Sequence, residues 1–146
     1  MTEPTGYYLL NTDAGYAYEG RRHSGDPLPH AAIGALLRTR RLVHVAQISK
    51  AIGRATHNVA EYHALIEGLK LAREHGIQQI RVYMDSELVV DQMNGLSRVR
   101  QSHLNELHEE ASRLRTLFKS IRISWVPREM NAEADQLVRD ALSALG

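Results

Sequence analysis

The sequence predicts an α/β fold: a mixed five-stranded sheet, built from an antiparallel meander plus parallel strands, with helices on both faces. Three observations carry that expectation. Apolar runs with twofold alternation fill the first third of the chain, a 3.6-residue apolar period takes over near residue 58, and later strand-like runs are each followed by a helix-like one. Strands joined by hairpins pair antiparallel, whereas strands joined through helices pair parallel.

Each element has its own signal. Residues 7–13, YYLLNTD, are aromatic and apolar and end in polar groups, so a strand is expected with Asp13 at its end. A Gly- and Pro-rich loop follows. Residues 31–38 and 42–49 are apolar or alternating runs separated by Thr39, Arg40 and Arg41, which reads as a hairpin. Tyr62, Leu65, Ile66 and Leu69 fall at i, i+3, i+4 and i+7, predicting a helix over 58–75 that stops at Gly76. Residues 80–85, IRVYMD, return to a strand, and Ser86 is a natural N-cap for the short helix ELVVDQM. A helix over 101–118 follows, with Leu104, Leu107, Ala111, Leu114 and Leu117 on one face. Ile121, Ile123 and Trp125 alternate with Arg122 and Ser124 as the last strand, and a final helix carries Leu137, Val138, Ala141 and Leu142. The order βββαβααβα is expected to form one domain over residues 1–146, a length that buries a sizeable core.

Composition narrows the chemistry. The chain has 18 Lys and Arg against 17 Asp and Glu, so any basic surface must be local. With no cysteine, disulfides, thiolate nucleophiles and Cys-ligated zinc are excluded, which fits a reducing compartment. No run approaches membrane-spanning length and nothing calls for an obligate protein partner; a soluble cytoplasmic protein is the expectation.

In open α/β sheets, ligands gather where strands end and turn into loops and helices. Asp13 and Asp85 end the first and fourth strands, which βαβ geometry makes neighbours, while Glu61 and Asp135 lie in the first turns of two helices. Each alone has an ordinary explanation as a cap, a turn residue or a partner of the helix dipole. Together they pose an energetic difficulty, since two carboxylates about 4 Å apart repel by roughly 4 kcal/mol at an effective dielectric near 20. Such a cluster must hold protons or bind cations. Oxygen-only ligands point to Mg²⁺ or Mn²⁺ rather than zinc, and paired hard cations suit phosphoryl displacement.

Four stretches then carry a resemblance: Thr12-Asp13; ATHNVAEYHALIEGL over 55–69; MDSELVVDQMNG over 84–95; and WVPREMNAEADQL over 125–137. In this order, on these elements, the chain resembles a type 1 ribonuclease H from about residue 7 to 142. The resemblance implies the RNase H-like fold and a nuclease that cuts the RNA strand of an RNA–DNA hybrid, leaving 3′-hydroxyl and 5′-phosphate ends. It implies two divalent ions, Mg²⁺ with Mn²⁺ as a substitute, held by Asp13, Glu61, Asp85 and Asp135. By the same resemblance Asp13 bridges both ions, Asp135 helps hold the ion that activates water, and Glu61 and Asp85 hold the ion at the leaving oxygen. Thr56 matches a position that binds a phosphate of the DNA strand, and Asn58 one that contacts nucleotides near the minor groove. Ser86 and Arg128 join the expected substrate contacts.

The chain departs from the family pattern in three places. A long Gly/Pro loop follows Ala14-Gly15. The link at 127–130, PREM, holds Arg128 where some relatives carry a mobile catalytic His. Only GLSRVR stands between the second and third helices, so this is a compact form lacking the basic protrusion. Ordinary surface or capping roles are expected for His57, His63, Glu67, Asp91 and Glu133, solvated loop roles for the arginines at 21, 22, 38, 40 and 41, and a core position for Trp125. A catalytically inactive nucleic-acid-binding module of the same fold is the alternative, and an enzyme acting on DNA ends or junctions a third reading.

Overall fold

The computed structural model describes residues 6–17 and 27–145. The chain runs β1 (Tyr8–Ala17), β2 (His30–Thr39), β3 (His44–Arg54), α1 (His57–Glu74), β4 (Gln79–Met84), α2 (Glu87–Met93), α3 (Asn105–Thr116), β5 (Ser120–Trp125) and α4 (Ala132–Ser143). Single 3-10 turns at Ser102–Leu104 and Arg128–Asn131 lead into α3 and α4. The five strands lie in the order β3-β2-β1-β4-β5. The meander β1-β2-β3 is antiparallel and β1-β4-β5 is parallel, as the hairpin and crossover connections require. No helix among the described residues is long and apolar enough to cross a membrane.

Helices cover both faces. On one, Leu10, Leu37 and Val82 of the sheet meet Tyr62, Leu65, Ile66 and Leu69 of α1, Val89 and Val90 of α2, and Ala111 of α3 in the main core. Each large apolar side chain buried there is worth about 1.5–3 kcal/mol. Thr56 caps α1, its hydroxyl accepting from the Val59 N–H at 3.3 Å. Ala60, Ala64 and Gly68 repeat every fourth residue, so α1 lies close on the sheet; a Cβ at Gly68 would stand 2.9 Å from Thr12 Cγ2. On the opposite face α4 packs Val138 and Ala141 on Ala32.

Gly34 sets the seat of α4. It pairs in register with Asp13, and a Cβ there would collide with the backbone oxygen of Ala134 and lie 3.0 Å from Leu137 Cβ. Only a residue without a side chain lets the first turn of α4 press onto β2 beside Asp13.

Several boundaries differ from those expected. β1 does not end at Asp13 but continues to Ala17 against β2; what ends near Asp13 is the pairing with β4, whose last partners are Asn11 and Tyr83. β3 extends past Ser49 to Arg54, because β2 offers partners over that whole length. Helix α1 begins at His57, so Glu61 stands one turn further in than the first turn. Trp125 is not a core residue: it keeps the strand phase of Ile121 and Ile123, yet it is 49% exposed at the end of β5. Leu117, expected on the inner face of α3, is also exposed. Arg21 and Arg22 lie outside the described residues.

Candidate active site

Where the β1–β4 pairing stops, the register carried two residues onward sets Asp13 beside Asp85. On the flank of Asp13 beyond the β1–β4 pairing, Glu61 enters from α1. One carboxylate oxygen from each of Asp13, Glu61 and Asp85 lies within 4.8 Å of the others. They line a cleft of about 740 Å³ that also takes in Asp135, His57, Trp125, Arg128 and Arg139.

The electrostatics follow from that crowding. Burial pushes the Asp13 carboxyl up to about 8, the Asp85 charge adds to the rise, and the Ala14 N–H opposes it. Glu61 is held well above the ordinary carboxylate range, first by burial and then by Asp13 and Asp85, with hydrogen bonds from Ala14 and Ser86 opposing. The residue is 1% exposed, and Oε1 is buried with no hydrogen-bond partner among the described residues. An orphaned buried acceptor beside two further carboxylates is a costly arrangement unless protons or cations complete it. The donor set is all oxygen, which fits a hard divalent cation.

Asp135 reaches the same cleft and adds to the rise at Asp13, yet it stands apart from the cluster of three. Its carboxylate is gripped by Arg139 one turn along α4, with Nε donating at 2.8 Å and a second guanidinium nitrogen donating to the same oxygen. The sequence held the signal, since Asp and Arg at i and i+4 face each other on a helix.

The expected substrate residues scatter around this centre. Ser86 caps α2, accepting from the Val89 N–H at 3.3 Å, and also hydrogen-bonds Glu61. Arg128 is exposed and lines the cleft. Thr56 and Asn58 lie at the start of α1, outside the lining of the cleft. His57 does line it, its ring edge-on to Tyr16 at 5.7 Å between centroids. Partial burial lowers its proton affinity below the ordinary histidine value, against the pull of Asp85 and with the help of Arg128.

A polar network missed at the sequence level braces the site. Asn131, 1% exposed, donates through Nδ2 to the Thr12 carbonyl at 2.9 Å and lies 3.5 Å from Asp85 Oδ1. Its own Oδ1 accepts from Asn11 Nδ2 at 3.1 Å, and Asn11 Oδ1 accepts from Arg38 at 3.2 Å. Arg38, expected as a solvated loop charge, therefore serves this network, and it pairs with Glu133 at 3.7 Å. Nothing in the spacing of Asn11 or Asn131 announces burial; only the approach of α4 to β1 creates it.

A family described as reverse transcriptase-like matches residues 24–141. The bifunctional protein Rv2228c of Mycobacterium tuberculosis is 44% identical over 121 residues, which is 82% of this chain and 33% of that protein. The chain thus spans about a third of the length of the first curated relatives it matches. Among solved structures, RNase H1 from the halophilic archaeon Halobacterium salinarum superimposes with a TM-score of 0.84 at 34% identity, covering 95% of this chain and 99% of that one. LC11-RNase H1, solved in complex with RNA/DNA hybrid, gives a TM-score of 0.82 at 32% identity, covering 95% and 99%. With the mixed sheet, the acidic cleft at the end of the β1–β4 pairing and these likenesses together, the chain belongs to the type 1 ribonuclease H family.

Proposed function

We propose that the chain is an endoribonuclease that hydrolyses the RNA strand of RNA–DNA hybrids, with Asp13, Glu61, Asp85 and Asp135 holding two divalent cations, Mg²⁺ or Mn²⁺. The products would carry 3′-hydroxyl and 5′-phosphate ends, with residues 1–146 forming one domain that acts in the cytoplasm. The observation that carries this reading is the buried, unpartnered Oε1 of Glu61 beside Asp13 and Asp85. Family membership and the hybrid bound by LC11-RNase H1 support the substrate class.

The chain's own groups have distinct tasks in this reading. Bound cations would supply charge stabilisation to the attacking and leaving oxygens of the phosphodiester. The proton affinities of Asp13 and Glu61 are raised without metal, so cation binding at these carboxylates would be linked to proton release. Arg139 holds Asp135 through Oδ2, so a cation at Asp135 would share that carboxylate with the guanidinium or displace it. Arg128 lends positive charge to the phosphate but cannot act as a base, because a guanidinium does not deprotonate in proteins. Ser86 holds Glu61 in place while capping α2. Thr56 and Asn58, a turn before Glu61, are proposed to contact the hybrid beside the cleft, near the ribose 2′-hydroxyls that distinguish RNA from DNA.

The test is one cleavage panel: labelled RNA–DNA hybrid, duplex DNA, duplex RNA and single-stranded RNA, each with Mg²⁺, Mn²⁺ or EDTA, with end-group analysis of the products. Hybrid cleavage with either metal and none with EDTA is expected. Hybrid binding with no cleavage under any metal would replace this reading by the inactive binding module.

A further inference from the structure

We propose that Trp125 forms a nucleotide subsite at the rim of the cleft, packing against the sugar of a nucleotide that adjoins the bound phosphate; this rests on the hydrolase reading above. Trp125 is the single tryptophan of the chain, and 49% of it stays exposed although its strand phase directs it to a covered face. Its place at the end of β5 explains why. The helices cover Ile123, which is buried, but leave the strand's last residue open.

Its position relative to the carboxylates is fixed by register. Trp125 pairs with Met84, the residue immediately before Asp85, and neighbouring strands stand about 4.8 Å apart. The Val126 N–H then bonds the Met84 carbonyl at 2.9 Å, which ties the end of β5 to the approach to Asp85. Trp125 lines the same cleft as Asp85 and Arg128. A phosphate bridged to Asp85 by a cation, beside Arg128, would then set its neighbouring sugar on the side of the cleft that Trp125 lines. In a duplex the base faces are already stacked on each other, so the apolar surfaces open to an aromatic ring are sugar C–H groups and base edges. An indole offers a large apolar area with few rotatable bonds, which suits it to such a contact.

The lone tryptophan supplies its own probe. In the Asp13→Asn background, which prevents cutting, hybrid titration should give a saturable change in tryptophan emission and protection from acrylamide quenching. Its midpoint should match that from anisotropy of a labelled hybrid. In the otherwise native chain, Trp125→Ala should raise KM for hybrid roughly tenfold, within the range set by losing one aromatic contact to nucleic acid. Little change in kcat is expected, and Trp125→Phe should recover most of the loss. Melting temperatures close to native in both variants are expected for a half-exposed residue, and the emission titration needs no substitution at this position. Anisotropy showing hybrid bound while emission and quenching stay unchanged, with KM unaltered in Trp125→Ala, would overturn the subsite and leave the hydrolase reading intact. No binding by anisotropy and no cleavage would overturn the hydrolase reading and the subsite with it.

Discussion

Asn131 donates to the Thr12 carbonyl at 2.9 Å and lies 3.5 Å from Asp85 Oδ1, so one buried amide links the entry to α4, the interior of β1 and a carboxylate of the cleft. The Thr12 carbonyl belongs to the residue just before Asp13, and the two strand residues are thereby held in a fixed relation to Asp85.

Replacing Asn131 by Ala strands the Thr12 oxygen and the Asn11 amide in the interior. The expected loss of stability is about 1–3 kcal/mol, the cost of leaving a buried polar group unsatisfied. Mn²⁺ affinity should fall roughly 10–100-fold, as is usual when a group orienting a metal ligand is removed. Urea unfolding and calorimetric titration of the metal measure the two effects separately. Native metal affinity in a destabilised variant would confine Asn131 to a structural role.

The proton affinity of Asp13 makes the stability of the metal-free protein depend on pH. Its folded-state value is raised from 3.8 to about 8, so the protonated form is favoured by folding. That contribution is complete below about pH 4 and is lost as the pH rises through about 8. Each tenfold difference in proton affinity between folded and unfolded chains is worth about 1.4 kcal/mol. In EDTA the melting temperature should therefore fall between these limits, and Asp13→Asn should be more stable at the upper end while losing all cleavage. A melting temperature that climbs over this window would show that the cluster does not carry the charge crowding described.

Arg139 pairs with Asp135, and under the proposed function it would compete with a cation for that carboxylate. Arg139→Ala removes that competitor and leaves the cleft more negative, so Mn²⁺ should bind several-fold more tightly, most clearly at low salt, where charge interactions are least screened. Titration at two ionic strengths checks this. Weaker binding in the variant would mean that Arg139 orients Asp135 for the metal instead of occupying it.

The short link between α2 and the turn at Ser102 predicts a small electrostatic footprint. Arg98 and Arg100 are both exposed there, and each phosphate contact adds about 0.9 to the salt dependence of binding on a B-form duplex. For hybrid and Asp13→Asn protein, the slope should stay below about 4 and drop by about 2 in Arg98→Ala/Arg100→Ala. A steep slope unaffected by the double change would locate a basic surface elsewhere.

The sequence carried the parts of this fold that depend on local periodicity. Tyr62, Leu65, Ile66 and Leu69 mark α1 by spacing alone, and the hairpin and crossover pattern dictates which strands run parallel. Asp13 and Asp85 could be placed side by side because strand adjacency follows from connection type. Three-dimensional approach is what stayed hidden. Alternation tells which face Trp125 takes but not where the covering helices stop, and Asn131 becomes buried only because α4 closes on β1. The last residues of β3, with Gly53 among them, lack alternation and acquire strand form from the length of β2. The orientation of Asp135 toward Arg139 is a different case, since the four-residue spacing was there to be used.

The hydrogen at Gly34, where any other residue would carry a Cβ, has a consequence for mutational tolerance. A scan of all substitutions should score position 34 as severely as the carboxylates, although glycine there has no chemistry to lose. Even alanine would drive its methyl into the Ala134 carbonyl and tilt α4 outward, carrying Asp135 away from Asp13. Compensation from α4 is barred as well. Trimming Leu137 or Val138 removes side-chain atoms, but the obstacle is a backbone oxygen, which no second substitution on that helix can shorten.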